Sequence, residues 1–149
     1  MSETEKTRQV FLAFIEQLFN GGPGFAGDLV ADNYVQHQPG IGQGKQGVRD
    51  FFASSAGAFA DVRSWTENMT VDGDKVSVWM CMEGTHVGRF FGVPATGKRI
   101  MIKTADTFRI TNGQIVEHWA IWDPTDYLEQ MVELPADRSE ERRGGKECW

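Results

Sequence analysis

An α+β fold, with helices on one face of a curved antiparallel sheet, is predicted by two observations on the 149-residue chain. The first is a change of hydrophobic period, from helical spacing in the N-terminal third to strict alternation from Val62 onward. The second is a pair of hairpin dipeptides, Asp72-Gly73 and Asn112-Gly113, that punctuate the alternating runs. Helices first and a meander afterwards place the helices on one side of one sheet. The length suits a single core.

The first helix is marked by Val10, Phe11, Phe14, Ile15, Leu18 and Phe19, which form one apolar stripe. Ser2-x-x-Glu5 has the form of a capping box at its start, and Gly21-Gly22-Pro23 stops it. A short helix is expected over Phe25–Ala31 and an extended piece over Asn33–Gln38. A third helix is expected over Lys45–Phe59, with Val48, Phe51, Phe52 and Phe59 on one side. In the next strand Val76, Val78, Met80 and Met82 alternate with Ser77, Trp79, Cys81 and Glu83. After the Gly92–Gly97 loop, Ile100, Ile102, Phe108 and Ile110 share a phase, and Ile115–Trp122 returns as the partner strand. Asp123-Pro124 opens a last short helix carrying Leu128, Met131 and Val132. The domain is expected to span residues 1–136. Residues 137–149 read as a disordered charged tail that resembles a translated vector scar.

A formal charge of −6 argues against a nucleic-acid partner, because a phosphate-binding face needs excess lysine and arginine. The longest apolar runs, about five residues as at Phe11–Ile15, are far short of the roughly 20 residues a membrane span requires. The polar, acidic N-terminus lacks the form of a secretion signal, so a soluble cytoplasmic protein is expected. Cys81 and Cys148 form no C-x-x-C motif, and reduced thiols are expected. Five Trp, ten Phe and six Met against two Tyr suit an apolar interior or pocket.

Gly42-Gln-Gly44-Lys-Gln-Gly47 matches G-x-G-x-x-G, but no buried strand precedes it and no βαβ unit surrounds it. It reads as a glycine-rich turn entering the third helix. Three dispersed histidines, His37, His86 and His118, include no local pair of metal-ligand spacing. The informative signals come from phase. Asp106 falls in the apolar row Ile100, Ile102, Thr104, Phe108, Ile110, where a carboxylate is a candidate proton acceptor. The competing readings are a structural acid paired with Lys103 or Arg109, or a bulge that turns it outward. In strict alternation Ile115, Glu117, Trp119, Ile121 and Asp123 share a face, which would aim Asp123 into the same space as Asp106. Asp123 also precedes Pro124 and suits the N-cap of the last helix, so both roles stay open. His118 lies in phase with Val116, Ala120 and Trp122 as a core or catalytic group, and His37 sits in an extended segment. Both faces of the last strand are apolar, which predicts a homodimer through the sheet.

Together Tyr34-x-x-His37-x-Pro39, Gly84-Thr-His86-x-Gly-x-Phe-x-Gly92-Val-Pro-Ala-Thr-Gly97, Phe108-Arg-Ile-x-x-Gly113-x-Ile-Val-Glu117-His-Trp119, Asp123 and Leu128-x-Gln130 resemble the SnoaL-like polyketide cyclase family. The resemblance runs from about Thr4 to Leu134. It implies the NTF2-like cone, in which N-terminal helices pack on a curved antiparallel sheet and enclose an apolar cavity. It implies a cofactor-free enzyme, with no metal, that closes a ring of a small apolar polyketide-like carbonyl substrate by intramolecular aldol chemistry. Asp123 matches the family's catalytic aspartate, with Asp106, His37 and His118 polarising or positioning carbonyl oxygens. Trp119, Tyr34, His86, Phe14 and Phe52 are the expected substrate contacts. The same fold also hosts non-catalytic small-molecule binders, isomerases and epoxide hydrolases. Fold relatives of the last kind use an Asp-Arg-Asp arrangement, whereas Thr104 stands two residues before Asp106.

Overall fold

The computed structural model describes residues 1–20, 27–132 and 148, so the tail expected over 137–149 lies outside them except for Cys148. Helix α1 (Glu3–Asn20) is followed by strand β1 (Val30–Gln36) and helix α2 (Gly44–Ser55). Four strands follow, β2 (Phe59–Asp72), β3 (Lys75–His86), β4 (Arg99–Thr111) and β5 (Gln114–Trp122), and helix α3 (Pro124–Met131) closes the order. The strands form one sheet in the order β1-β5-β4-β3-β2, antiparallel throughout except for the parallel β1–β5 pair. The fold is α+β. Among the described residues no helix is long and apolar enough to cross a membrane.

Local chemistry accounts for the element ends. Ser2 Oγ accepts the Glu5 N–H at 3.1 Å and so starts α1. Thr7 Oγ1 donates to the Gly73 carbonyl at 2.6 Å, and the Gly73 N–H donates to Thr4 Oγ1 at 3.0 Å, which seats α1 on the β2–β3 turn. The helix expected over Phe25–Ala31 is corrected where it can be seen: residues 27–29 form a turn, and Val30 and Ala31 belong to β1. Val30 is buried in register with Ile115 of β5, so pairing to the sheet overrides local helix preference. The third helix stops at Ser55, short of Phe59, because Gly57 takes a φ of +84° and Phe59 opens β2.

Besides a slip between Val30 and Val35 in the parallel β1–β5 pair, three register slips shape the antiparallel ladders. Two lie in β2 beside Asp61 and Asn68, each at a φ of 51°. The third follows the β4–β5 hairpin, whose Asn112 and Gly113 both have positive φ, as a tight two-residue turn requires. Pairing moves from Ile110↔Ile115 to Arg109↔Glu117, which leaves Val116 as one extra residue on β5. Such bulges bend a strand and reverse the phase of everything beyond them. His118, Ala120 and Trp122 therefore face inward, while Glu117, Trp119 and Ile121 face outward.

Two apolar clusters hold the layers together. Phe11 and Phe14 of α1 pack on Phe108, with ring centroids 5.3 and 5.6 Å apart, over Val76, Val78, Ile110 and Ile115. Tyr127 and Met131 of α3 cover Ile100, Ile102, Phe90 and Ala58. The expectation of reduced thiols is corrected: Cys81, on the outward face of β3, is disulfide-bonded to Cys148. The separation of 67 positions does not prevent this, because Cys148 returns to within 6.1 Å, Cα to Cα.

Candidate active site

A cavity of about 400 Å³ lies between the two clusters and draws its wall from both. Most of that wall is apolar, including Phe14, Val48, Phe51, Phe52, Phe59, Met80, Met82, Phe90, Ile102 and Trp122. Its polar members are Gln38, Ser55, Ser64 and a contiguous patch made of Tyr34, Gln36, Thr104, Asp106 and His118. Alternation on β4 brings Thr104 and Asp106 inward, with Asp106 in register between Ala120 of β5 and Val78 of β3. His118 comes inward because of the Val116 bulge, and its ring stacks on its register partner Phe108 at 4.4 Å.

The patch is one hydrogen-bonded chain. His118 Nε2 lies 2.7 Å from Asp106 Oδ1, and both side chains are buried. Thr104 Oγ1 donates to Asp106 Oδ2. His118 Nδ1 lies 3.0 Å from Gln36 Oε1, which also accepts the Gln38 N–H at 2.9 Å. A backbone N–H can only donate, so this contact identifies the amide oxygen of Gln36 and makes His118 Nδ1 the donor. Nε2 then faces Asp106, and one proton lies between imidazole and carboxylate. Gln36 Nε2 donates to Tyr34 Oη at 2.7 Å. Burial pushes the Tyr34 hydroxyl well above the ordinary tyrosine range; the Gln36 bond opposes this, and the Asp106 charge adds to it. Tyr34 is thus a neutral phenol throughout the working range.

Strand β1 is an edge, so Gln36 has one backbone side unpaired by the sheet. Gln43 supplies the missing partner: its Oε1 accepts the Gln36 N–H at 2.9 Å, and its Nε2 donates to the Gln36 carbonyl at 2.7 Å. The glycines around it have a packing reason. A Cβ on Gly47 would lie 2.1 Å from the Gly42 carbonyl oxygen, and Gly44 has a φ of +72°. The G-x-G-x-x-G pattern folds a tight entry to α2 that places Gln43 on β1.

Asp106, His118, Tyr34, Phe14 and Phe52 all line this cavity. The remaining expected site residues do not. Asp123 is exposed and accepts the Thr125 N–H at 2.9 Å as the N-cap of α3, a correction that follows from the Val116 bulge. His37 and Trp119 lie on the outer face, their rings parallel and 5.0 Å apart, with His37 Nε2 2.6 Å from Glu117 Oε2. Lys75 and Arg109 flank the Trp119 ring. The His37 bond holds Glu117 below its ordinary range; burial opposes it, and the Arg109 bond adds to it. His86 is fully buried beside Phe59, with Nδ1 3.0 Å from Thr96 Oγ1, and is not part of the cavity wall. Sequence reasoning missed Gln36, Gln43 and the role of Thr104. The alternation Tyr34-x-Gln36-x-Gln38 was the available signal, since it puts both glutamines in phase with the buried tyrosine. Among the described residues no group of three or more His, Cys, Asp or Glu is placed to hold a metal ion.

A helix packed on an open, curved, mostly antiparallel sheet defines the NTF2-like class. The model of the SnoaL-like polyketide cyclases matches residues 9–131, and the chain belongs to that family. TsrD from Streptomyces laurentii is similar at 25% identity and a TM-score of 0.76, over 87% of this chain and 97% of TsrD. IdmH from Streptomyces antibioticus is similar at 26% identity and a TM-score of 0.73, over 84% and 97% of the two chains. A SnoaL-like polyketide cyclase from Agrobacterium tumefaciens, 20% identical, shares the fold at a TM-score of 0.69 over 85% of this chain and 98% of its own. No curated protein sequence matches the chain.

Proposed function

We propose that the protein is a cofactor-independent acid/base enzyme that closes a ring of a small, apolar, polyketide-like carbonyl substrate by intramolecular aldol chemistry. The observation that carries this reading is the buried Asp106–His118 pair on the wall of a mostly apolar cavity. A proton flanked by two carbonyls leaves a delocalised enolate, so one poised carboxylate in a water-poor site is sufficient catalytic equipment. Asp106 takes the carbon-bound proton on its carboxylate, and the C–H electron pair becomes the enolate. The enolate carbon attacks the second carbonyl carbon, a C–C bond forms, and the resulting alkoxide takes the proton back from Asp106. His118, held by Gln36 Oε1, balances the charge of the intermediate with its own proton. Among the described residues no lysine or arginine lines the cavity, which favours an uncharged substrate over a carboxylate.

The family resemblance pointed to Asp123 as the acid/base, whereas the exposure of Asp123 and the burial of Asp106 support Asp106. The two are separated by hydrogen–deuterium exchange at the activated carbon of an aryl β-keto ester, followed by NMR. Asp106→Asn is expected to lose about 10²- to 10⁴-fold in exchange rate, the usual contribution of a general base. Asp123→Asn is expected to keep the rate within about twofold and, because asparagine caps a helix as well as aspartate does, to change stability by less than about 0.5 kcal/mol. The reverse ranking rejects the assignment.

A further inference from the structure

The Gln36 amide decides where the hydrogen of Tyr34 points. Its Oε1 is committed to the Gln38 N–H and to His118 Nδ1, at 2.9 and 3.0 Å, so the group facing Tyr34 Oη at 2.7 Å is its N–H donor. Tyr34 is therefore the acceptor in that bond and keeps its own O–H. No acceptor among the described residues takes that hydrogen, and Tyr34 lines the cavity while almost fully buried. Donation from Gln36 draws electron density from the phenol oxygen and makes its O–H the stronger donor, an effect that grows in a low-dielectric site. The same amide thus orients a proton acceptor pair on one side and a neutral donor on the other.

We propose that Tyr34 is a catalytic residue whose hydroxyl donates to the substrate carbonyl oxygen and holds it as it becomes an enolate oxygen, with Gln36 as the positioning residue that aims it. This deepens the acid/base reading of Asp106–His118 and rests on it. A donor aimed at developing negative charge, in a site shielded from water, contributes where the bond to an ionised oxygen is stronger than the bond to a neutral one.

The test uses binding, so it makes and breaks no substrate bond. 2-Naphthol and the more acidic 6-cyano-2-naphthol imitate an oxygen gaining negative charge, and 2-methylnaphthalene imitates the ring alone. Fluorescence titration of the intact protein is expected to show Tyr34→Phe losing about tenfold in affinity for 2-naphthol and more for the cyano compound. Affinity for 2-methylnaphthalene is expected to change less than about twofold, which also shows that the variant is folded. Gln36→Leu keeps the Tyr34 hydroxyl but removes its donor, and is expected to lose about threefold for the naphthols. Equal losses for all three probes, or no dependence on naphthol acidity, overturn the proposal. A wild-type cavity that binds no naphthol overturns it as well. If the naphthol selectivity is found but Asp106→Asn leaves carbon-acid exchange intact, the acid/base reading fails and the Tyr34 donor stands.

Discussion

The two faces of the sheet each carry a histidine–carboxylate pair, and they differ in surroundings far more than in geometry. His118–Asp106 inside and His37–Glu117 outside are separated by 2.7 and 2.6 Å. The inner side chains are 9% and 5% exposed, the outer ones 41% and 23%. Water screens the outer pair and competes for its hydrogen bonds, so it contributes little to stability and has no privileged access to a ligand. The inner pair has exchanged water for Gln36, Thr104 and an apolar wall, so a proton gained or lost there is felt by whatever fills the cavity. A hydrogen-bond distance alone therefore does not mark a functional pair; its burial and the cavity it faces do.

That contrast sets the order of expected effects. His118→Leu leaves Asp106 as a buried charge without its main partner and is expected to cost about 3 kcal/mol, the low end for a broken buried pair because Thr104 still donates to the carboxylate. His37→Leu should cost no more than about 0.5 kcal/mol, and chemical denaturation of both variants measures the gap. A gap below about 1 kcal/mol would dissolve the distinction between the faces. Gln43→Ala removes both side-chain bonds to the Gln36 backbone and is expected to cost about 1–2 kcal/mol. Its loss in exchange rate should exceed that of a surface variant of equal stability, because Gln36 loses its alignment with His118.

On the outer face the effect is smaller and depends on pH. Glu117 is held below its ordinary range in the folded state, so its contribution is present above the unfolded value and is lost as pH falls through the folded one. The melting temperatures of wild type and Glu117→Gln should differ most near neutrality and converge below about pH 4. The same face exposes Trp79 and Ile121, the latter by 77%, in register on either side of Ala105. Its nearby charges His37, Glu117, Arg109 and Asp74 are already paired within the chain. A second copy related by a twofold axis would bring two such apolar rows together, as the two-sided apolar strand predicts. Ile121→Lys should leave stability within about 0.5 kcal/mol and lower the mass seen by light scattering from dimer to monomer. A monomeric wild type would remove the dimer from the account and leave the inner site untouched.

The inner site was legible where alternation is unbroken. Asp106 falls in an apolar row of β4, and that row is regular, so its inward direction could be read directly. The same rule misdirected Asp123, because one extra residue at Val116 reverses the phase between Ile115 and His118, and the Asn112-Gly113 turn gives no warning of a bulge three residues beyond it. Tyr34 was in view, but Gln36 was passed over for His37, one position out of phase and on the other side of the sheet. Gln43 could not be found by periodicity at all, since it acts from a loop on the backbone of an edge strand. The disulfide was hidden for a related reason: spacing along the chain says nothing of where a distant segment returns.

The central claim is that the buried pair, and not its exposed counterpart, handles the substrate proton. Carbon-acid exchange of an aryl β-keto ester should be measured side by side for Asp106→Asn and Glu117→Gln, at equal cavity occupancy by the substrate. The account predicts a loss of at least about 10²-fold for Asp106→Asn and less than about twofold for Glu117→Gln. Comparable rates in the two variants, or a larger loss on the outer face, would contradict it.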